Sequence, residues 1–319
     1  MSKIKGYLRL LRLPNIVTAV SDILAGMAIS GSLAANTFGR LSDRHISFGE
    51  LLLTSHSLEP LHPILLLVLA TIGLYGGGVV LNDVFDAKLD SVERPERPIP
   101  SGVVSKTAAA ILGSLLLVIG VVAAGLSSEE GFFSTAFFLA LAIAIAAVLY
   151  DKWAKHHSFL GPLTMGFCRA CNLLLGMSIL FFSLERYWPV AFIPLVYIAA
   201  ITMISRGEVH GGKKRTLYFA LFLYTLVILS VVVVSRLNEA LKLSLPFLLI
   251  LSLMILLPLQ EAIRKPEGSL IGKAVKGGVI GLIALNAAWA AAFGDIFFAI
   301  AIIILLPISL LLARMFAVT

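Results

Sequence analysis

The sequence LHPILLLVLATIGLYGGGVVLNDVFDAKLD occupies residues 61–90 and joins an apolar run directly to a cluster of acidic side chains. The apolar part, residues 61–82, can cross a bilayer, because a membrane-spanning helix needs about 20 apolar residues. Acidic side chains at the edge of a membrane are costly and usually serve a function. This stretch therefore predicts a membrane helix that ends in a functional site.

Similar apolar runs fill most of the chain. Of the 319 residues, 59% are hydrophobic and 13% are charged, whereas soluble domains are about 45–50% apolar and about 25% charged. Soluble fold classes are therefore excluded. We predict an all-α, polytopic membrane helix bundle that forms a single integral-membrane domain over residues 1–319. The predicted spans are 14–33, 61–82, 103–126, 132–150, 159–182, 188–204, 216–235, 244–262, 271–293 and 296–315.

The net charge of +7 gives the orientation of these spans. Most of the 25 lysines and arginines lie in segments on the same side of the membrane as the N-terminus. The positive-inside rule places that side in the cytoplasm. The connections 83–102, 151–158 and 205–215, which carry nearly every candidate site residue, are then cytoplasmic too. Because the excess charge is explained by orientation, we predict no nucleic-acid partner.

The acidic cluster has the spacing of a helix face. Asn82, Asp86 and Asp90 are four residues apart and share one face of a helix, with Asp83 at its edge. Three carboxylates this close repel one another unless a cation lies among them. Oxygen donors suit Mg²⁺, which proteins bind through a few carboxylates together with substrate phosphates. The cluster predicts a Mg²⁺ site, and the alternative is a solvated acidic helix end.

The next segment, residues 94–102, reads RPERPIPSG. Its three prolines predict an extended path that holds Arg94 and Arg97 near the carboxylates. Guanidinium groups bind phosphate oxygens in a bidentate manner. Carboxylates for Mg²⁺ followed by rigidly placed arginines predict a diphosphate site at the membrane surface.

Residues 82–90 and 97–102 together resemble the first aspartate-rich motif of the UbiA superfamily of intramembrane prenyltransferases. The resemblance extends over about residues 5–293. It implies nine transmembrane helices around a central cavity that opens sideways to the lipid, and the span at 296–315 would be an additional tenth helix or a re-entrant piece. It also implies that Mg²⁺ and basic residues hold an isoprenyl diphosphate, whose prenyl group passes to a lipophilic or aromatic acceptor.

The resemblance assigns roles to the polar residues, and two further candidates follow from their charge alone. The metal ligands would be Asn82, Asp83, Asp86, Asp90 and Glu208. The diphosphate would be bound by Arg94, Arg97 and Lys155, with Lys213 and Lys214 as candidates from their charge. The residues that take part in catalysis would be Asp83, Asp86, Asp90, Lys155 and Glu208.

The segment after the sixth span departs from the family pattern. Relatives carry a second carboxylate pair there, D-x-x-x-D, whereas residues 205–215 read SRGEVHGGKKR and hold one acid, Glu208. A second cation would have one carboxylate instead of two. Two functions therefore stay open: Mg²⁺-dependent prenyl transfer, and a non-catalytic relative that binds or translocates a hydrophobic metabolite.

Two charged residues lie within predicted spans. Asp22 is in the first span, where an acid costs at least about 2.5–3.5 kcal/mol unless it faces a partner or a cavity. Arg169, the only cation deep in a span, is the expected partner. Asn15 lies seven residues before Asp22, and Asn172 lies three residues after Arg169. The group is either an ion pair that fixes helix packing or a cavity wall that recognises the acceptor.

Overall fold

The computed structural model describes residues 3–31, 61–209 and 211–316, and these residues form helices and short connections without a β-strand. The helices are α1 (Lys3–Leu10), α2 (Leu13–Ser30), α3 (Leu61–Glu93), α4 (Lys106–Leu126), α5 (Thr135–Lys152), α6 (Leu160–Met177), α7 (Phe181–Tyr187), α8 (Phe192–Ser205), α9 (Lys214–Leu237), α10 (Leu241–Arg264), α11 (Gly268–Ala292) and α12 (Ile296–Met315). Two 3₁₀ turns, Ala154–His156 and Trp188–Ala191, precede α6 and α8.

Every predicted span corresponds mainly to one helix, although the span 188–204 begins with the 3₁₀ turn Trp188–Ala191 before α8, and the all-α, polytopic fold class is confirmed. In the described ranges, nine segments are long and apolar enough to cross a membrane, and α12 is one of them. The helix α6 is not among these nine, because Arg169 and Asn172 lower its hydropathy. It packs against α2, α5 and α8. The predicted end of the first span, residues 32–33, lies outside the described residues.

Two boundaries differ from the predictions. The helix α3 continues to Glu93 instead of ending at residue 82, because no proline or glycine interrupts the sequence between Gly78 and Pro95. The acidic cluster therefore lies on a helix, as its spacing predicts, and the connection begins after Glu93 instead of at residue 83. The prolines after it form successive turns, in which Arg97 N donates to the Arg94 carbonyl and Ser101 N to the Arg97 carbonyl. The predicted extended path over this segment is wrong, since each proline starts a turn.

Glycines allow two pairs of helices to touch through their backbones. A Cβ atom on Gly26 of α2 would overlap the Leu173 carbonyl oxygen of α6, and one on Gly176 of α6 would overlap the Ile23 carbonyl of α2. On α3, a Cβ on Gly77 would lie 2.7 Å from the Gly113 carbonyl of α4. Small residues at such crossings are the usual way in which membrane helices approach closely.

Replacing Gly26 with alanine should destabilise the protein by about 1–3 kcal/mol, because overpacking forces two backbones apart. Gly272→Ala is the matched control, since a Cβ atom at Gly272 on α11 meets nothing within 4 Å. Thermal unfolding of both variants in detergent micelles measures the effect. Equal melting temperatures for the two variants would show that α2 and α6 yield without cost at this crossing.

The additional helix α12 closes the bundle against its first long helix. It packs on both α2 and α11, and Ser309 Oγ donates a hydrogen bond of 3.1 Å to the Pro14 carbonyl at the start of α2. The first and last helices are therefore neighbours, and α12 fixes the end of α2 from which Arg12 and Asn15 reach the interior.

Candidate functional site

A cavity of about 490 Å³ lies between α3, α5, α6 and α8, with α2 and α11 contributing to its wall. One part of the wall is apolar and includes Leu74, Ile143, Met165, Ile198 and Val279. The wall also carries charged side chains, and these are Arg12, Asp86, Asp90, Glu93, Arg94, Arg97, Asp151, Lys155, Arg169, Arg206 and Glu208. The cavity is therefore amphipathic, with space for an apolar chain beside a charged head group.

The predicted carboxylates of α3 face cations. Asp86 Oδ1 lies 2.6 Å from Lys155 Nζ, and Asp90 Oδ2 lies 2.8 Å from Arg97 Nη1. These pairs join the two predicted groups of residues, the acids on α3 and the cations that follow, into one cluster. Lys155 and Arg97 are also the kinds of side chain that bind phosphate oxygens.

Asp83 differs from the other two acids in its surroundings. Its Oδ1 lies 2.8 Å from Arg12 Nη2 and 3.4 Å from Arg97 Nη1. It lines a separate pocket of about 190 Å³ with Arg9, Arg12, Arg94 and Arg97, beside the main cavity. Asp83 thus holds two arginines in place between the two spaces.

Sequence reasoning gave Arg12 no role, although it directly precedes the first span. Arg12 connects α1 and α2 with φ of 48°, a left-handed conformation that is uncommon for residues other than glycine. This turn brings its guanidinium to Asp83. Only the tertiary structure shows this pairing, because positions 12 and 83 are 71 residues apart in the chain.

Lys155 reaches the cavity from the 3₁₀ turn after α5, and its backbone is held by Arg206. Arg206 Nη2 donates to the Lys155 carbonyl at 3.1 Å and to the His157 carbonyl at 2.5 Å. The connection after α8 therefore clamps the connection after α5. Lys155 is presented to Asp86 by this clamp, which the sequence alone did not reveal.

Glu208 also lines the cavity, where its Oε2 lies 3.7 Å from Arg94 Nη2. Its Oε1 is buried and accepts no hydrogen bond within the described part of the chain. Burial raises the pKa of the Glu208 carboxyl above its ordinary value, although Arg94, Arg12 and Arg97 act in the opposite direction. A buried acceptor without a partner is uncommon in proteins and indicates a place for a cation or a donor.

The structure does not bring Lys213 and Lys214 to the cavity. Both side chains are exposed at the start of α9. The chain turns away at Gly211, with φ of 82°, and Gly212 N donates to the Pro266 carbonyl. The two lysines therefore do not line the cavity that holds the other residues of the predicted diphosphate site.

Replacing Glu208 with glutamine should stabilise the protein at high pH and change little at low pH. A raised folded pKa contributes stability below the ordinary pKa of glutamate, and this stability is lost as pH rises through the raised value. Glutamine does not titrate, so the difference in melting temperature between the variant and the wild type should grow as pH rises from the ordinary pKa of glutamate through the raised one. Thermal unfolding from about pH 4 to about pH 8 tests this. Glu130→Gln, at an exposed site, should give no such pH dependence, and a constant difference for Glu208→Gln would contradict the prediction.

The predicted pair of Asp22 and Arg169 is confirmed. Asp22 Oδ2 lies 2.6 Å from Arg169 Nη1, and both side chains are buried. Asn172 Nδ2 donates to Asp22 Oδ2 at 3.0 Å, and Asn286 Nδ2 donates to Asp22 Oδ1 at 2.7 Å. Arg169 also lies over the ring of Tyr75, 4.9 Å from its centroid. Asp22 is therefore surrounded by donors from α6 and α11.

This network borders the cavity. Arg169, Asn172 and the buried Asn15 line the wall, and Asn172 Oδ1 accepts a hydrogen bond of 2.7 Å from Thr71 on α3. Asn286 was missed by sequence reasoning, although it is the one strongly polar side chain in the buried run of residues 278–292 on α11. The contacts tie four helices together beside the site.

Another residue that sequence reasoning left without a role is Asp151, at the end of α5. Its side chain is 4% exposed and lines the cavity. Asn82 Nδ2 donates to Asp151 Oδ1 at 2.7 Å. The only signal in the sequence was an acidic residue at the last turn of a membrane span.

These observations define a polytopic helical protein with an interior cavity of about 490 Å³ that is lined by both apolar and charged side chains. Residues 45–276 match the UbiA prenyltransferase family, and the chain belongs to this family. The predicted family is therefore confirmed, and the protein is an integral, multi-pass membrane protein.

Individual relatives support the same conclusion. The chain is 28% identical over 202 residues to digeranylgeranylglyceryl phosphate synthase of Saccharolobus solfataricus, a match over 63% of this chain and 60% of the relative. The synthase of the same name from Methanosarcina mazei is 35% identical over 132 residues, which are 41% of this chain and 42% of the relative. The first match spans less than two thirds of the relative.

Two solved structures share the fold. A UbiA homolog from Aeropyrum pernix K1 superposes with a TM-score of 0.60 and 16% identity, over 86% of this chain and 96% of the homolog. A structure described for digeranylgeranylglyceryl phosphate synthase in membranes has a TM-score of 0.58 and 22% identity, over 92% of this chain and 99% of that one. At these identities the likeness concerns the fold.

Proposed function

We propose that this protein transfers a prenyl group from an isoprenyl diphosphate to a lipophilic acceptor within the membrane, and that it needs Mg²⁺. The observation that carries the proposal is the amphipathic cavity, in which an apolar wall adjoins paired carboxylates and cations. Membership of the UbiA prenyltransferase family gives the reaction class.

The residues present fit Mg²⁺ in their donor atoms. Asn82, Asp86, Asp90 and Glu208 offer oxygen to one cavity, and Glu208 Oε1 is buried without a hydrogen-bond donor among the described residues. Within residues 3–31, 61–209 and 211–316, no three acidic, histidine or cysteine side chains are already grouped closely enough for a metal. Asp86, Asp90 and Glu208 are paired with Lys155, Arg97 and Arg94. For these acids to bind a cation, the three basic side chains would have to turn to the phosphate oxygens.

The reaction breaks the bond between the allylic carbon and the diphosphate oxygen, and the electron pair leaves with the diphosphate. Bound Mg²⁺ would supply neutralisation of the charge that develops on this leaving group. Arg94, Arg97 and Lys155 would bind its remaining oxygens. The apolar wall around Ile143 and Met165 would keep water from the allylic cation until the acceptor's nucleophilic atom bonds to it and loses a proton.

For the acceptor, the relatives suggest a first compound to test. The matched proteins are named digeranylgeranylglyceryl phosphate synthases, so we propose a polar lipid alcohol before an aromatic ring. We also propose that the site faces the cytoplasm, because the charge bias of the connections favours that orientation.

A second function is favoured by one observation. In the segment between α8 and α9, Glu208 is the only acid, and this departs from the paired carboxylates of the family. A protein that binds or translocates a hydrophobic metabolite without catalysis would need the cavity but not both carboxylate pairs.

Binding and release of diphosphate distinguish the two functions. The purified protein in lipid nanodiscs would be titrated with allylic diphosphates with and without Mg²⁺, and released diphosphate would be counted after acceptor is added. We expect Mg²⁺-dependent binding and release, both lost in Asp86→Ala, which removes a carboxylate that lines the cavity, and kept in the exposed control Glu130→Gln. Binding without release in the presence of glyceryl phosphate lipids and aromatic acceptors would favour the carrier. Absence of Mg²⁺-dependent binding would overturn the enzyme proposal.

A further inference from the structure

The carboxylate of Asp151 lies in the cavity wall, next to the acidic face of α3. It is 4% exposed and ends a membrane helix, so its burial is costly unless it serves packing or function. No ion pair to it is found among the described residues, and Lys155, four residues further along the chain, lies 2.6 Å from Asp86 Oδ1. Its one hydrogen bond in the described chain is accepted from Asn82 Nδ2, at 2.7 Å.

This hydrogen bond determines which way the Asn82 amide faces. A carboxylate only accepts hydrogen bonds, so Asn82 must present its NH₂ group to Asp151. The amide oxygen, Oδ1, is then turned away from Asp151. Asn82 lines the cavity four residues before Asp86. The oxygen that could ligate a cation is therefore directed by a residue on another helix.

We infer that Asp151 is a positioning residue of the cation site, which orients Asn82 so that its Oδ1 serves as a ligand beside Asp86. The inference rests on the proposed Mg²⁺-dependent function. Residues just outside a metal's ligands typically change metal affinity by about 10–100-fold when removed. Asp151 thus strengthens the set of cation ligands on α3. This matters in this chain because segment 205–215 supplies only one carboxylate, that of Glu208.

The test is the affinity for Mn²⁺, a spectroscopic substitute for Mg²⁺ with the same preference for oxygen ligands. Electron paramagnetic resonance of the full-length protein in nanodiscs would measure it, with Mn²⁺ alone and with inorganic diphosphate added. Asp151→Leu should weaken Mn²⁺ binding by about 10–100-fold. Asp151→Asn should keep most of the affinity, because an asparagine oxygen at this position can still accept from Asn82 Nδ2.

A double variant separates positioning from charge. If Asp151 acts through Asn82, then adding Asp151→Leu to Asn82→Ala should cause no further loss, since the two residues form one unit. Asp151→Ala serves in the same cycle if the leucine variant does not fold, and thermal unfolding reports folding for each protein. Glu130→Gln controls for the loss of a distant charge.

The outcomes distinguish this inference from the proposed function. Equal losses in Asp151→Asn and Asp151→Leu, or additive losses with Asn82→Ala, would overturn the positioning role while wild-type Mn²⁺ binding leaves the proposed function standing. Wild-type affinity in both Asp151 variants would overturn it as well. A wild-type protein that binds no Mn²⁺ would overturn both the inference and the Mg²⁺ dependence.

Discussion

Replacing Asp86 with asparagine should lower Mg²⁺-dependent diphosphate release by on the order of 10²–10³-fold, the size of effect seen when one electrostatic group of an active site is removed. Asp86 lies in the cavity, 2.6 Å from Lys155 Nζ, and has oxygen to offer a cation. Asparagine has nearly the same volume, so we expect the fold to persist. Single-turnover release of diphosphate in nanodiscs, with melting temperature measured in parallel, tests this.

The neighbouring lysine provides a second comparison for the same experiment. Lys155→Gln should weaken binding of the allylic diphosphate, because it removes a cation expected to pair with phosphate oxygens. Since Asp86 and Lys155 are in direct contact, their effects should not add in the double variant. Glu130→Gln should release diphosphate at the wild-type rate. A wild-type rate for Asp86→Asn would mean that Asp86 only balances the charge of Lys155.

The helices and the location of the charged site follow from local sequence. Apolar length predicts the membrane spans, and the spacing of Asn82, Asp86 and Asp90 predicts that they share a face. Both are properties of neighbouring residues in the chain. The end of α3 at Glu93 was less predictable, because residues 83–93 mix polar and apolar side chains and extend beyond the apolar run that defines the span.

The partners of those residues depend on how distant helices pack. Arg12 meets Asp83 across a turn with positive φ, Arg206 holds Lys155 in place, and Asp151 meets Asn82. Each contact joins segments that are 50 or more positions apart in the chain. A single sequence carries no signal for such pairings. The pair of Asp22 and Arg169 was predictable because each is a charged residue inside a span, and an unpaired charge there is costly.

Arg169→Met should destabilise the protein by about 3–5 kcal/mol, the cost of leaving one charge of a buried pair without its partner. Asp22 is fully buried, and its other donors, Asn172 and Asn286, are neutral amides that cannot replace a guanidinium charge. Denaturant unfolding in detergent micelles would measure this loss. Gly272→Ala, which meets nothing within 4 Å, is the control at a distant helix position.

The double variant Asp22→Asn/Arg169→Met should recover most of that stability, because both charges are gone while the single oxygen of the new asparagine can still accept from Asn286, which donates to Asp22 Oδ1. It also decides between the two roles proposed for the network. If the pair only fixes helix packing, the stable double variant should keep the wild-type KM for the acceptor, whereas recognition of the acceptor by Arg169 on the cavity wall should raise that KM. A double variant as unstable as Arg169→Met would show that the loss comes from packing around Tyr75 and Thr18 and not from an unpaired charge.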